Sequence, residues 1–370
     1  MAGQRAVARR APGKLFVAGE YAVVEPGNQA ILVAVDRYIT VTASEPEASD
    51  AEADADVVVD SDLGARPVRL RRRGGRLAGG DGRMPHVVSA VETVAELLDE
   101  RGLPVPPLKV SISSTLHEHG RKYGLGSSGA VTVATVDAVT SYCGLRLTTE
   151  ERFRLALLAT ARIEPKGSGG DLAASTWGGW IAYRAPDRAQ VLDLARARGV
   201  AEALRAPWPG FSVRRLPAPA GLSFQVGWTK SPASTEALVS DLHRRRTWRG
   251  SASHQKFIAT TADFVQAAVT ALEDGDGPAL LHEIRRARQE LARLDDEVGL
   301  GIFTPELTAL CDAAEAVGGA AKPSGAGGGD CGIALLDERA AHDISQVRQR
   351  WAAAGVLPLP LRPALEGNEA

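Results

Sequence analysis

The sequence predicts a two-domain α+β protein. Three observations lead there. The chain has 370 residues, and a soft prior of about 150 residues per unit gives two or three units, most simply two domains. Strand-like and helix-like segments are mixed, with no fixed-period repeat and no strict β–α–β alternation, which favours α+β over a doubly wound sheet. A Pro- and Arg-rich stretch from Pro186 to Pro219 precedes three long helical patterns. The boundary is placed near its end, with 1–218 as the N-terminal domain and 219–370 as the C-terminal domain.

The elements follow in order. Residues 6–19 and 30–44, rich in Val, Ile and Thr, read as strands. Between Glu45 and Asp62 lie eight acidic residues, expected to form a solvated loop, with an exposed hairpin through the "VRLRRR" run at 68–73. Val88, Val91, Val94, Leu97 and Leu98 recur at helical spacing and stop at Gly102. Residues 107–116 read as a strand, and the Ala/Val/Thr run after Gly129 as a buried helix. Thr148 with Glu151 has the capping-box pattern of a helix start. Residues 177–183 read as a strand, while 186–219 carry no clear pattern. Helices are expected at 253–272, 280–297 and 305–316, the last opened by Thr304 and Pro305. Strands at 331–337 and 356–361 enclose a helix at 340–355.

Composition narrows the function. Apolar content of 44%, charged content of 24% and a net charge of −2 describe an ordinary globular chain without a bulk pull toward nucleic acid or anionic membrane. The longest aliphatic run is Ala30–Val35, far short of the ~20 residues of a membrane span. Arg9 and Arg10 precede an apolar patch, but Glu20 interrupts it, so export is not expected. Three cysteines, Cys143, Cys311 and Cys331, fit a reduced, cytoplasmic setting. Oligomeric state is left at monomer or homodimer. Seven of 43 basic residues are Lys, and Lys14, Lys122, Lys166 and Lys322 flank glycine-rich stretches.

Four such stretches carry the chemistry. In "APGKLFVAGEYAVV", Pro12-Gly13 breaks a strand just before Lys14, and Glu20 and Tyr21 follow a second glycine. In "KYGLGSSGAV", Gly124, Gly126 and Gly129 surround Ser127 and Ser128, either of which suits a helix cap. A helix N-terminus presents free N–H groups and partial positive charge, hence affinity for phosphate, and a serine hydroxyl there suits magnesium. The pattern GxxxxGK[ST] is absent. In "EPKGSGGDLAAST", Asp171 follows Gly169 and Gly170, as a catalytic group or a plain cap. In "KPSGAGGGDCG", five glycines lie between a helical pattern and an apolar strand, which suits close approach to a ligand better than a linker.

Together these stretches resemble the GHMP kinase superfamily, which includes galactokinase, homoserine kinase and mevalonate kinase. The likeness covers nearly the whole chain. It is strongest in 11–31, 117–134, 165–183 and 322–335, and is most similar to actinobacterial members whose acceptor is (R)-5-phosphomevalonate. The resemblance implies an N-terminal domain like domain 2 of ribosomal protein S5, a ferredoxin-like C-terminal domain and a site between them. It implies ATP and Mg2+ as cofactors, with ADP and 5-diphosphomevalonate as products in the mevalonate route to isoprenoids. It assigns Lys14 and Asp171 to catalysis, and Lys122, Gly124, Leu125, Gly126, Ser127, Ser128 and Gly129 to ATP. Ser127 and Ser128 are also its magnesium ligands. Lys14, Glu20, Tyr21, Ser168, Gly169, Gly170, Asp171, Ser324, Gly325, Ala326 and Gly327 fall to the acceptor. Lys230 departs from the small residue expected in "GWTKSPAST".

Related enzymes sharing the fold act on mevalonate or diphosphomevalonate, and a silent nucleotide sensor is a further alternative. A silent member should lack Lys14 or Asp171, and both are present. A phosphate acceptor has a second pKa near ~6 and is mostly dianionic at neutral pH. It needs cations more than a base, and Lys14, Arg121 or Lys122 and magnesium are the candidates. The basic run His243–Lys256 is expected to be a surface loop, with docking of an anionic substrate as the alternative.

Overall fold

The computed structural model describes residues 6–47, 55–62, 64, 66–79, 82–118, 120–232, 238 and 248–365. Strand β1 (Ala6–Ala18) runs antiparallel to β2 (Gln29–Ser44), with a register shift between Pro12 and Gly13. Pro12 has no N–H for a ladder, so the irregularity falls where the sequence breaks the strand. Strand β3 (Val57–Ser61) pairs in parallel with β6 (Leu108–Ser114), while β4 (Val68–Arg73) and β5 (Arg76–Ala78) extend the edge. The acidic stretch is therefore not wholly a solvated loop. Val57, Val58 and Val59 are at most 1% exposed, because three consecutive valines outweigh their acidic surroundings once a strand edge is offered. Strands β7 (His117–Glu118) and β8 (Arg121–Lys122) form a small separate hairpin.

Helices α1 (Pro85–Glu100), α2 (Ser127–Tyr142), α3 (Thr149–Ala161) and α4 (Gly170–Trp177) pack together and on the strands. Helix α2 is buried nearly all round, as its Ala/Val/Thr composition requires. The capping box at Thr148 and Glu151 is formed. Strand β9 (Trp180–Arg184) adds to β2, and the stretch that carried no pattern supplies α5 (Arg188–Arg198), α6 (Val200–Arg205) and β10 (Ser212–Leu216). The sheet order is β10-β9-β2-β6-β3-β4-β5, with β1 also on β2.

The second sheet contains β11 (Leu222–Trp228), β12 (Ala320–Pro323), β13 (Cys331–Asp337) and β14 (Leu357–Leu359). Its order, β14-β11-β13-β12 and antiparallel throughout, is ferredoxin-like. Helices α7 (Ala252–Asp274), α8 (Gly277–Val298) and α9 (Pro305–Glu315) separate β11 from β12, and α10 (Ala341–Ala353) leads into β14. The fourth glycine stretch, "KPSGAGGGDCG", is the hairpin connection between β12 and β13, not a linker. The chain then returns to the first sheet, where Asp36 N–H donates to the Arg362 carbonyl and Ala364 N–H to that of Ala34.

Candidate active site

A cavity of about 720 Å³ is lined from both halves of the chain, well within the size range of small-molecule sites. Its floor is the join between β8 and α2. The αL residue that caps α2 is Gly126, and Ser127 and Ser128 are the first helical residues instead of the cap expected of one of them. Both serines line the cavity. The first N–H groups of α2 have no partner within their own helix and gather there with the positive end of the dipole. Helix α4 repeats the device with Gly169 as its αL cap.

The three glycines of "GLGSSGA" each make room for a different charged residue. A Cβ on Gly124 would lie 2.4 Å from Asp330, one on Gly126 2.9 Å from Cε of Lys14, and one on Gly129 2.4 Å from Oδ2 of Asp171. One short stretch thus seats a lysine from β1, an aspartate from α4 and an aspartate from the β12–β13 turn. Lys14 is fixed by its own N–H, which donates to the Leu125 carbonyl at 2.8 Å, and its ammonium lies 5.4 Å from the Phe16 ring centre. Helix α4 is tied to the β1 bulge by Ser175, whose hydroxyl donates to the Pro12 carbonyl at 2.7 Å. Asp171 is not a cap. Its Oδ1 accepts from Leu172 N–H at 3.0 Å, and burial pushes its carboxyl pKa up against the opposing pull of Lys14.

Other predicted residues separate into two groups. Glu20, Tyr21, Lys122, Ser168, Gly169, Gly325 and Ala326 line the cavity. Leu125 instead turns its side chain into the core and offers only its carbonyl. Gly129 packs on Asp171, Gly170 on Phe16 and Leu32, and Gly327 on Ile302. The Ser324 hydroxyl accepts from Phe16 N–H at 2.8 Å and donates to the Phe16 carbonyl at 2.9 Å. Arg121 is exposed and absent from the lining, so of the two neighbouring cations Lys122 is the one at the site. Lys322, the remaining glycine-flanking lysine, is wholly buried and absent from the lining. Lys230 has φ 63°, a conformation that favours a residue without a side chain and accounts for its oddity in the motif. Of the basic run, 243–247 lies outside the described residues. Trp248 is buried against the Tyr21 and Ala326 cluster, and Arg249 pairs with Glu25 at 2.9 Å.

Sequence reasoning missed His86, His117, Glu164 and Lys166, all in the lining. His86 Nε2 lies 3.1 Å from Glu164 Oε1, and this bond holds the Glu164 carboxyl below its ordinary range, with Lys122 adding to the effect. Burial, then the charge of Lys122, lowers the His117 pKa. Only Lys166 had a signal, as a retained lysine beside glycines.

Comparison with known proteins agrees with this geometry. The family model for the GHMP kinases N terminal domain matches residues 86–179, and that for GHMP kinases C terminal matches 268–353. A phosphomevalonate kinase of Streptomyces sp. (strain CL190) is 72% identical, with 99% of each chain covered. A mevalonate kinase of Thermococcus gammatolerans is 28% identical over 96% of each. Among solved structures, the phosphomevalonate kinase of Streptococcus pneumoniae in complex with phosphomevalonate and AMPPNP superposes with a TM-score of 0.83 at 28% identity, covering 96% of this chain and 99% of that one. A Lin0012 protein from Listeria innocua superposes with a TM-score of 0.89 at 33% identity, covering 97% and 98%. Fold, glycine-lined site and whole-length identity define a GHMP kinase. The chain belongs to that superfamily and, within it, to the phosphomevalonate kinases.

Proposed function

We infer that the chain transfers the γ-phosphoryl group of ATP to the phosphate of (R)-5-phosphomevalonate, giving ADP and (R)-5-diphosphomevalonate in the mevalonate pathway. The observation that carries this reading is the meeting of three lysines, Lys14, Lys122 and Lys166, and two helix N-termini on one cavity. That is an arrangement for several phosphates. Phosphoryl transfer asks a protein mainly for alignment and for positive charge on the oxygens in flight. The acceptor arrives ionised, so the obstacle is the approach of two polyanions. Lys14, backed by Asp171, sits beside the α2 N-terminus and neutralises the transferring group. Asp171 orients Lys14 and is not needed to remove a proton.

ATP phosphates are assigned to the N–H groups and hydroxyls of Ser127 and Ser128, with Lys122 beside them. Gly325 and Ala326, with Ser168 and Tyr21, face the acceptor. Magnesium, when bound, neutralises phosphate charge. Ser127 and Ser128 hydroxyls fit it as oxygen donors, and no cluster of three His, Cys, Asp or Glu able to hold a metal exists among the described residues. Phosphates and water would supply the remaining ligands. The domain boundary is assigned to the connection between β10 and β11, near 218/219, apart from the C-terminal return to the first sheet. Cys143, Cys311 and Cys331 form no disulfide, which supports a cytoplasmic setting, and the oligomeric state is proposed as monomer or homodimer. No helix among the described residues is long and apolar enough to cross a membrane.

The test is product identification. Phosphorus NMR of the enzyme with MgATP and phosphomevalonate should show ADP and a new diphosphate monoester, without free phosphate. Free phosphate with no new diphosphate would contradict the assignment.

A further inference from the structure

Lys322 is the one glycine-flanking lysine that the phosphate chemistry does not use. It is 0% exposed and its ammonium meets Glu20, itself 4% exposed. The same ammonium donates to the Pro323 carbonyl at 2.7 Å, and Glu20 Oε1 also lies 3.4 Å from Gly325 N–H. Two further bonds run in parallel. Ser324 holds both backbone groups of Phe16, and the Tyr21 hydroxyl donates to the Ala326 carbonyl. Tyr21 accepts a left-handed backbone, φ 62°, to reach it.

These contacts join two segments more than 300 residues apart in sequence. One carries Lys14 two residues before Phe16. The other carries Gly325 and Ala326 into the cavity. A buried ion pair is seldom the most stable way to fill such a space, since apolar residues of similar size commonly match or exceed it. Stability therefore gives no reason for the pair, whereas orientation does: it fixes two backbone segments against one another at the reacting centre.

We propose that Glu20, Lys322 and Ser324 are positioning residues, forming a clasp that sets Lys14 and the 325–326 turn at their working separation. They act through the segments they hold and not by touching the phosphates. The proposal rests on the kinase reading above and adds to it the element that registers the two halves of the site.

Three variants test it, namely Glu20→Gln, Lys322→Met and the double Glu20→Met/Lys322→Met. Each single change strands one buried charge and should lower both the melting temperature and turnover. The double change removes both charges, so its melting temperature should return to within a few degrees of wild type. Its kcat should remain at least about tenfold down, with the Kd for ATP within about threefold. Amide exchange at residues 13–18 should also quicken in the double variant, a readout that needs no acceptor. A stable double variant with wild-type kcat and exchange would overturn the proposal, leaving the pair a filler of the interface. If the double variant does not fold, Ser324→Ala decides. Wild-type melting with kcat several-fold down supports the clasp, and unchanged kcat refutes it. Wild-type turnover of phosphomevalonate, measured in parallel, reports on the reaction alone, and variant-to-wild-type ratios report on the clasp.

Discussion

Gly129→Ala adds a single methyl group beside Asp171, and the structure gives the size of the disturbance. The new Cβ would stand 2.4 Å from Oδ2, 2.6 Å from Cγ and 3.0 Å from Cβ of Asp171, where ordinary contact begins near 3.4 Å. The carboxylate must therefore retreat by about 1 Å, and displacement on that scale can cost about 10²-fold in rate, or ~2.7 kcal/mol of barrier. Stability should change much less. Gly129 lies in the first turn of α2 without a left-handed backbone, so alanine gains up to ~1 kcal/mol of helix propensity against an overpacking cost of about 1–3 kcal/mol. Steady-state kinetics with both substrates, alongside urea unfolding, separates the two effects. The expected variant is folded and about a hundredfold slower, with its loss in kcat. A folded variant with kcat near wild type would refute the claim that the glycine exists to seat Asp171.

Lys14→Ala should lower kcat more than Asp171→Asn, because the acceptor is already ionised and the lysine carries the charge. A larger loss at Asp171, in the same kinetic assay, would restore it as a base. Glu164 has a lowered carboxyl pKa in the folded state, so its contribution to stability is full above the ordinary glutamate value, near ~4.3, and fades as pH falls through the lower folded value. Glu164→Gln should therefore flatten the acid limb of a plot of unfolding midpoint against pH. Thr148→Ala, which breaks the α3 capping box, should cost about 1 kcal/mol in urea unfolding and leave kinetics unchanged.

The parts of this molecule that could be read from sequence are those whose signal is local. Proline and glycine before Lys14, three glycines around two serines, and the Thr148/Glu151 pair each announce a backbone geometry by themselves, and each is found where expected, except that Gly126 and not a serine caps the helix after the second stretch. What escaped depends on distant partners. Val57–Ser61 is a strand between Leu108–Ser114 on one side and Val68–Arg73 on the other, the first of these some fifty residues away. Arginine-rich 188–198 is a helix capped by Asp187, whose carboxylate accepts from two N–H groups, yet its weak apolar pattern hid it. At the site, the family resemblance pointed to Lys14 and Asp171, but nothing in the sequence pointed to the histidine–carboxylate pair of His86 and Glu164, brought together across 78 positions of sequence. Nor can a motif tell a hydroxyl that faces a ligand from one that, like that of Ser324, is committed to backbone.

Acceptor choice tests the central claim most directly. ADP release would be followed with MgATP and, separately, phosphomevalonate, mevalonate and diphosphomevalonate. If Lys14, Lys122 and Lys166, which line the cavity, serve the approach of ATP to a phosphorylated acceptor, the enzyme should turn over phosphomevalonate and leave the other two near background. Comparable or faster turnover of mevalonate would leave the fold and the phosphate loop standing, but would contradict the assignment of this site to a phosphorylated acceptor.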